Sequence, residues 1–207
     1  MSSNYLTADN GVSSGVTGIT QSAGNDGTLQ IRTTTSGGTA TTAVTIDNTQ
    51  NVTFANGIIP NSTSGIVGVT NGSNANAGSV GEYVVSNVLS TSPITLTNTN
   101  TVTITSISLT AGDWDVSGFV GLASSAALSW NVFTCAFNAG SANASATSQQ
   151  NQFLPSSTVV YTYSQITPMQ TTRFSLTSTT TIYFAAYGYY SGGTGTVFGQ
   201  IRARRVR

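Results

Sequence analysis

The sequence predicts an all-β protein, in which a short N-terminal β-hairpin and extended anchoring segment precede an antiparallel β-sandwich, with a jelly roll favoured. Runs rich in β-branched and aromatic residues recur along the chain. From residue 80 onward, turn signals separate these runs about every 8–12 residues, which is typical of sandwiches. No segment has the competing hydrophobic period of a helix. Charged residues make up only 6% of the 207 residues, against about 25% in an average domain.

Three short strands are predicted in the N-terminal part of the chain, over residues 28–32, 43–47 and 51–54. In the first, Leu29 and Ile31 alternate with polar residues. In the second, Val44 and Ile46 do the same. Alternation of this kind puts the apolar side chains on one face of a strand. With Gly-rich and Asn-rich turns between them, these strands predict a hairpin or a meander.

Residues 1–60 contain too few apolar side chains to fold alone. Ordering the backbone costs about 1–2 kcal/mol per residue, and so few buried side chains cannot offset that cost. We infer that partner chains, either identical copies or the other members of a larger assembly, supply the missing core. We therefore predict that residues 1–60 form an anchoring and oligomerisation segment. Its candidate subunit-interface residues are Leu29, Ile31, Val44 and Ile46.

The rest of the chain divides into a linker and a domain. Residues 61–79 are rich in Gly, Ser and Asn and predict a linker or an extended arm. Residues 80–207 predict the sandwich domain, where eight or nine strands fit a jelly roll better than an immunoglobulin-like fold. The predicted strands are residues 80–89, 94–97, 101–109, 113–122, 128–137, 157–165, 172–178, 180–190 and 196–206.

One predicted strand changes phase along its length. Its first apolar pair is Val102 and Ile104, and its second pair, Ile107 and Leu109, is out of phase with the first. A β-bulge near Thr105–Ser106 would place both pairs on a common face.

The next strand predicts part of the core. Trp114, Val116, Val120 and Leu122 share one face of it, and Gly118 lies where a bend or the close approach of another backbone is tolerated.

The composition excludes much common catalytic and metal chemistry. The chain has no histidine, and every basic residue is an arginine. Without histidine there is no Ser-His or Cys-His nucleophile pair, no imidazole proton shuttle and no His-ligated zinc site. We therefore predict no catalytic residue, no cofactor and no metal site. The single cysteine, Cys135, lies in an apolar run and is predicted to be a small buried side chain.

The composition also argues against nucleic acid and membranes as partners. The formal net charge is zero, so the chain lacks the basic surface that neutralises phosphates. No run of 18 apolar residues is present for membrane insertion. The first residues have neither a basic nor an apolar signal region, and no export signal is expected.

Asp113 and Asp115 are the one pair of carboxylates with candidate chemistry. They are two residues apart on a predicted strand, and so lie on one face. Glycosidases use paired carboxylates roughly 5–10 Å apart, which makes a capsule-degrading site one alternative. A calcium site that adds backbone carbonyls is another. The favoured interpretation is that both flank Trp114 on the solvent side, without a catalytic role.

Four of the six arginines lie in the last six residues of the sequence: Arg202, Arg204, Arg205 and Arg207. On a continuing strand, Arg202 and Arg204 face one side while Arg205 and Arg207 face the other. Charges on an edge strand can remain solvated and block aggregation. The other interpretation, and our prediction, is that the four arginines contact carboxylates or carbonyls of a neighbouring copy.

An aromatic cluster near residue 190 provides a candidate ligand surface. Tyr183 and Phe184 begin it, and Tyr187, Tyr189 and Tyr190 follow. Aromatic rings with a polar rim bind sugars, so the last three tyrosines are candidates for contact with a host-surface glycan. Packing in the core or in an interface is the alternative.

Two stretches of the chain resemble bacteriophage virion proteins of the fibre and decoration type. Residues 27–57, GTLQIRTTTSGGTATTAVTIDNTQNVTFANG, resemble the short repeat of phage fibres that leads into a distal domain. Residues 109–118, LTAGDWDVSG, and residues 179–207 resemble the C-terminal β-domain of phage structural proteins that ends in an Arg-Ala-Arg-Arg pattern.

The resemblance implies a non-enzymatic structural protein on the virion surface, assembled in the host cytoplasm. It implies a homotrimer whose N-terminal segments intertwine or anchor on capsid or tail proteins, with the sandwich pointing outward. Tail fibres usually have a longer anchoring region and a shaft, so the length favours a capsid decoration protein or a head fibre. A short tail fibre that binds a host receptor is the alternative, and a capsule-degrading enzyme is a distant one.

Overall fold

A computed structural model describes the fold of both parts of the chain. The chain divides into two compact units, Met1–Gly68 and Val69–Arg207. The described residues form fifteen strands and no helix, which confirms the all-β prediction. No helix long and apolar enough to cross a membrane is found among them. The structure describes residues 9–10, 17–18, 28–33, 41–58, 71–124, 128–144, 150–153, 158–159 and 165–207.

The described residues of the first unit form two small antiparallel sheets. Strands β1 and β2 pair with each other, and β3, β4 and β5 form a three-stranded sheet in that order. The three strands predicted here are confirmed, with ends shifted by one or two residues. The strands are β1 Asp9–Asn10, β2 Thr17–Gly18, β3 Leu29–Thr33, β4 Thr41–Ile46 and β5 Val52–Phe54.

Asp47 closes the turn between β4 and β5. Its carboxylate accepts hydrogen bonds from the backbone N–H groups of Thr49 and Asn51, each at 2.9 Å, and from both side chains. The Thr49 hydroxyl makes the largest contribution to a pKa that is lowered from 3.8 to about 2. The ionised carboxylate thus accepts hydrogen bonds from N–H groups for which the tight turn supplies no backbone carbonyl.

The second unit contains ten strands: β6 Tyr83–Val88, β7 Ile94–Thr95, β8 Thr101–Leu109, β9 Gly112–Ser124, β10 Leu128–Ala139, β11 Gln150–Phe153, β12 Thr158–Val159, β13 Gln165–Leu176, β14 Thr180–Gly192 and β15 Gly195–Arg205. They correspond to the strands predicted from residue 80 onward, with β11 added. Within the predicted strand 157–165, residues 160–164 lie outside the described residues.

Two antiparallel sheets make up the second unit. Sheet A has the order β13-β9-β15-β6, and β7 also pairs with β15. Sheet B has the order β11-β10-β14-β8, and β12 also pairs with β10. Strands β8, β9 and β10 alternate between the sheets, and so do β13, β14 and β15. The predicted antiparallel β-sandwich is therefore confirmed.

The core lies between sheets A and B. Trp114, Val116, Val120 and Leu122 of β9 are all buried, as predicted for one face of that strand. They belong to a cluster with side chains of sheet B such as Phe133, Phe137, Ile182 and Phe184.

Gly118 allows two backbones of sheet A to approach closely. A Cβ at this position would lie 1.9 Å from the carbonyl oxygen of Gln200 on β15. The close approach predicted at this glycine is confirmed.

The predicted β-bulge is present in β8, one position earlier than expected. Thr103 and Thr105 pair with the consecutive residues Ala185 and Phe184 of β14, which leaves Ile104 as the extra residue. Ile104 is buried together with the isoleucine and leucine that follow it on the strand. The bulge thus restores a common apolar face, as its prediction required.

Strand β15 is an inner strand of sheet A. It pairs with β9 on one side and with β6 on the other. The edge-strand interpretation of the C-terminal arginines is therefore wrong. Sequence periodicity gives the two faces of a strand, whereas its neighbours depend on pairing with distant residues.

Strand β6 forms one edge of sheet A, and a preceding side chain partly covers it. The Asn74 amide donates to the Tyr83 carbonyl at 2.8 Å and accepts from the Tyr83 N–H at 3.0 Å. Residues 71–79, the described part of the predicted linker, thus make contacts with the sandwich. Residues 61–70 of that linker lie outside the described residues.

Candidate functional site

The charges of the second unit are concentrated on and beside sheet A. From residue 71 onward the sequence has five arginines and three carboxylates, and all eight lie on or directly next to β6, β9, β13 and β15. This distribution leaves an excess of two positive charges. The eight residues are Glu82, Asp113, Asp115, Arg173, Arg202, Arg204, Arg205 and Arg207.

Arg205 is the most deeply buried member of this group, with its side chain 4% exposed. Its Nε lies 3.0 Å from Oε2 of Glu82, and its Nη1 donates to the Ala111 carbonyl at 2.8 Å. A further bond reaches the Thr110 hydroxyl. The guanidinium carbon lies 4.3 Å from the centre of the Trp114 ring, which adds a cation–π contact. These contacts are all within the second unit, and an interface role for Arg205 stays a prediction.

Asp113 is held by two arginines. Arg173 donates to both of its carboxylate oxygens at 2.7 Å, and Nε of Arg207 lies 2.8 Å from Oδ2. The hydrogen bonds from Arg173 lower the pKa of Asp113, with burial opposing them in part. The same bonds raise the pKa of Arg173. Asp113 is therefore an ionised acceptor at neutral pH and is not a proton donor.

The remaining charged side chains of β9 and β15 lie on the outer face of sheet A. Asp115 pairs in register with Arg204, and Ser117 pairs with Arg202. The Arg202 Nε donates to the Ser117 hydroxyl at 3.1 Å. On the other side of β15, Arg204 pairs in register with Tyr83.

These side chains line a groove of about 350 Å³. We name it the outer groove, and its lining is Tyr83, Asp115, Ser117, Thr171, Arg202, Ala203 and Arg204.

The prediction that the four arginines divide between the two faces of one strand is confirmed for three of them. Arg202 and Arg204 are exposed while Arg205 is buried, as alternation requires. Arg207 does not continue the pattern, because β15 ends at Arg205. Its side chain is mostly exposed and reaches Asp113, whose carboxylate also meets Arg173.

The three tyrosines proposed for glycan contact do not share a surface. Tyr190 is buried, its hydroxyl donates to the Leu96 carbonyl at 2.7 Å, and its ring lies 4.8 Å from that of Trp130. Tyr190 is thus corrected from a surface residue to a core residue. Tyr189 is exposed and Tyr187 is half-buried. Because strand residues alternate, both of these point away from the core face that holds Tyr190.

Cys135 is buried between the sheets, as predicted. Its Sγ lies 3.2 Å from the sulfur of Met169 on the opposite sheet. Burial raises the pKa of the Cys135 thiol to about 12. The thiolate that nucleophilic chemistry needs is therefore not formed at neutral pH.

In the first unit, the predicted interface residues are brought together on one sheet face. Leu29 pairs with Ile46, and Ile31 pairs with Val44. Strand β5 adds two apolar residues that the sequence prediction did not include. We name this surface the apolar face, and it consists of Leu29, Ile31, Val44, Ile46, Val52 and Phe54.

About half of three of these side chains is exposed: 54% of Ile31, 50% of Val52 and 46% of Phe54. Within residues 28–33 and 41–58, no residue is buried. The described part of this sheet therefore has no completed core of its own.

Metal binding finds no support in the described ranges of the chain. They contain no group of three or more His, Cys, Asp or Glu side chains that could hold a metal ion.

Comparison with known proteins gives distant structural likenesses only. No family model matches the chain, and no curated protein does. A structure of the infectious bursal disease virus Gx strain is similar over 79% of this chain and 42% of its own, at 13% identity and a TM-score of 0.41. The crystal structure of the VP2 subviral particle of that virus has the same identity and coverage, with a TM-score of 0.39. The chain thus spans less than half the length of these structures, and a likeness at this level assigns no family and no function.

The outer groove could not be predicted from the sequence, because the residues that line it are far apart along the chain. Alternation showed that Arg202 and Arg204 share a face. Nothing local indicated that β9 and β15 would be neighbours. Arg173 carried no sequence signal, since its role depends on a carboxylate 60 residues away.

Proposed function

We propose that this chain is a non-enzymatic structural protein of a bacteriophage virion. In this proposal it is a trimer that presents its sandwich on the particle surface as a capsid decoration protein or a head fibre. The observation that carries the proposal is the apolar face of the β3–β4–β5 sheet, with three side chains about half exposed. The resemblance of residues 27–57 to phage fibre repeats supports the virion setting.

The apolar face supports self-association on energetic grounds. Fully burying one aliphatic or aromatic side chain contributes about 1.5–3 kcal/mol, so covering six of them has a large effect even when burial is partial. Identical chains in closed symmetry place the same face of every copy against the others. Each copy then supplies the core that the sheet lacks within the described residues.

The strand order supports a jelly roll for the sandwich. Strands that alternate between two packed antiparallel sheets, with first and last strands adjacent, are what two nested Greek keys produce. Here β6 and β15 are neighbours in sheet A, and β8 and β14 are neighbours in sheet B.

The geometry of the carboxylate pair supports a non-enzymatic role. A glycosidase needs one carboxyl group with a raised pKa to protonate the leaving group. Asp113 instead accepts two hydrogen bonds from Arg173, and its pKa is lowered. Asp113 is therefore unsuited to the role of that acid in the distant alternative, a capsule-degrading site at Asp113 and Asp115.

Sedimentation analysis of the full chain tests the trimer. We expect a species of three times the chain mass of 21.2 kDa. Replacing two residues of the apolar face, Val44→Ser with Phe54→Ser, should reduce that mass. The matched control is Thr45→Ser with Thr53→Ser, which changes adjacent residues on the opposite face of the same strands. A wild-type chain that sediments at 21.2 kDa would contradict the trimer.

Immunogold electron microscopy of intact virions tests the location, with an antibody against residues 80–207. Label over the heads is the expected result. Label at the tail would instead favour the second candidate, a short tail fibre that contacts the host receptor, to which the fibre-like repeat of residues 27–57 also points. No label on accessible surfaces would contradict both.

A further inference from the structure

We propose that the outer groove of sheet A binds a carboxylated saccharide, such as a uronic acid within a surface polymer. The inference goes beyond the structural role proposed above. It depends only on residues of the second unit and holds whether the chain is a monomer or a trimer.

The first observation is the distribution of ion pairs among the five arginines of the second unit. Arg173 and Arg207 pair with Asp113, and Arg205 pairs with Glu82. Arg202 and Arg204 form no ion pair with the described residues. Two exposed guanidinium groups on one face, two residues apart, thus keep their charge available.

A guanidinium group matches a carboxylate in shape as well as in charge. Its planar N–H groups can donate two parallel hydrogen bonds to the two carboxylate oxygens. Arg202 is already oriented by its bond to Ser117 at 3.1 Å, so part of the ordering cost is met before a ligand binds. The arginine pair therefore predicts a carboxylate as the charged part of the ligand.

The rest of the lining argues for a sugar and against a polyacidic peptide. Asp115 lies in the groove beside the arginines, and an exposed carboxylate there repels a second and a third ligand carboxylate. It is, however, a good acceptor for ligand hydroxyl groups, and Ser117 and Thr171 add hydroxyls that both donate and accept. A ligand with one carboxylate and several hydroxyls meets this set of groups.

Tyr83 provides the apolar part of the site. It lines the groove next to Arg204 in register, and it is 42% exposed. The C–H face of a pyranose can pack on such a ring while the phenol hydroxyl stays in water. A volume of about 350 Å³ is at the small end of ligand sites and fits one or two sugar rings.

The test is a binding titration of the full chain with methyl α-galacturonoside, a sugar with one carboxylate, monitored by calorimetry and by backbone amide NMR. Its matched ligand is the methyl ester of the same sugar, which has the same ring and hydroxyls but no charge. We expect saturable binding of the acid, and binding of the ester that is weaker by about tenfold or more, because charge-assisted hydrogen bonds are lost. Inorganic phosphate should compete only weakly.

Matched variants locate the site. Arg202→Gln and Arg204→Gln should each weaken binding of the acid by about tenfold or more. Arg32→Gln removes the same charge from an exposed position in the first unit and should leave binding unchanged. The comparison of acid with ester uses the wild-type chain alone, so it decides the charge requirement even if a variant fails to fold.

Several results would overturn the proposal. They are absence of saturable binding up to about 10 mM acid, equal affinity for acid and ester, and an equal loss in Arg32→Gln. A fall in native mass on Arg204→Gln would also overturn it, because the groove would then be occupied by a second copy. Tight binding of phosphate would identify a general anion site instead.

Discussion

At the scale of single residues, the ion pair between Arg205 and Glu82 stabilises the end of sheet A. Both side chains are taken out of water, at 4% and 11% exposure. A buried pair is stabilising only while both partners are present, because the loss of one leaves an uncompensated charge. The Glu82 carboxylate also accepts the Gly78 N–H at 2.7 Å, which ties the segment before β6 to the same pair.

Removal of this arginine should therefore be costly. We expect Arg205→Ala to lower the free energy of unfolding by about 3–5 kcal/mol, since Glu82 would remain buried without its partner. Arg202→Ala, at an exposed position of the same strand, should change it by no more than about 0.5 kcal/mol. Urea unfolding followed by tryptophan fluorescence measures both, because Trp114 lies against the guanidinium. A small effect of Arg205→Ala would show that water reaches Glu82.

A second prediction at the residue scale concerns acid stability. The folded pKa of Asp113 lies below its ordinary value of 3.8, mainly because Arg173 donates to the ionised form. A lowered folded pKa stabilises the folded state above the unfolded pKa, and this contribution is lost as the pH falls through the folded pKa. In Arg173→Gln we expect the Asp113 pKa to rise and acid unfolding to begin at a higher pH.

Carboxyl carbon NMR across an acid titration measures this pKa directly, and Arg32→Gln is the control for the loss of one positive charge. An unchanged Asp113 pKa in Arg173→Gln would mean that Arg207 alone suffices to hold the carboxylate.

Local patterns predicted side-chain direction and burial, and did not predict partners. The core face of β9 and the burial of Cys135 followed from alternation and from an apolar run. The ion pairs of Arg173 and Arg205 did not, because each joins residues far apart in sequence. Tyr190 was misplaced, since a dense aromatic cluster alone does not show which of its rings faces the core.

At the scale of the element, Gly118 sets the spacing between β9 and β15. We expect Gly118→Ala to destabilise the protein by about 1–3 kcal/mol or more, because the added Cβ would overlap the backbone carbonyl of Gln200, which cannot rotate away. Gly57→Ala is the control, since a Cβ at Gly57 meets nothing within 4 Å. Thermal unfolding of the two variants gives the comparison. A normal melting temperature for Gly118→Ala would show that the strands can separate without loss of pairing.

The strands and their approximate ends could be predicted from the sequence. Which strands lie next to each other in a sheet could not. The phase change along β8 predicted a bulge within one position of Ile104, because the need for a common face is local. The place of β15 inside sheet A depends on pairing with β6 and β9, whose residues are far away along the chain. Charge at the end of a sequence therefore indicated an edge where the structure has an inner strand.

For the whole molecule, low charge predicts association that depends little on salt. The apolar face has no charged member. The removal of its apolar surface from water favours association without any ion pair. We expect the native mass to stay constant between about 0.05 and 1 M NaCl, a range over which the Debye length falls from more than about 10 Å to about 3 Å. Light scattering across this range is the measurement.

Dissociation at high salt would contradict an apolar interface. It would favour the other predicted interface, in which the arginines Arg202 and Arg204 contact carboxylates of a neighbouring copy.

The all-β class and the antiparallel sandwich could be predicted from the sequence, because strand periodicity and turn spacing are properties of local segments. Self-association was inferred from the shortage of apolar side chains in residues 1–60. Both self-association and the trimer stay predictions. The separation of the chain into units near residue 68 follows the change in composition. The outer groove required the tertiary structure, since it is assembled from four strands.

The inner position of β15 also constrains how the protein is made. This strand is synthesised after both of its neighbours, and β9 and β6 meet only through it. A nascent chain that has reached β14 still has two open strand edges in sheet A and a Trp114 ring without its covering guanidinium. A translation product that stops before residue 195 would thus lack the centre of its sheet and remain open to degradation. Only chains that include β15 can close the sandwich, which limits the supply of subunits to copies that contain this strand.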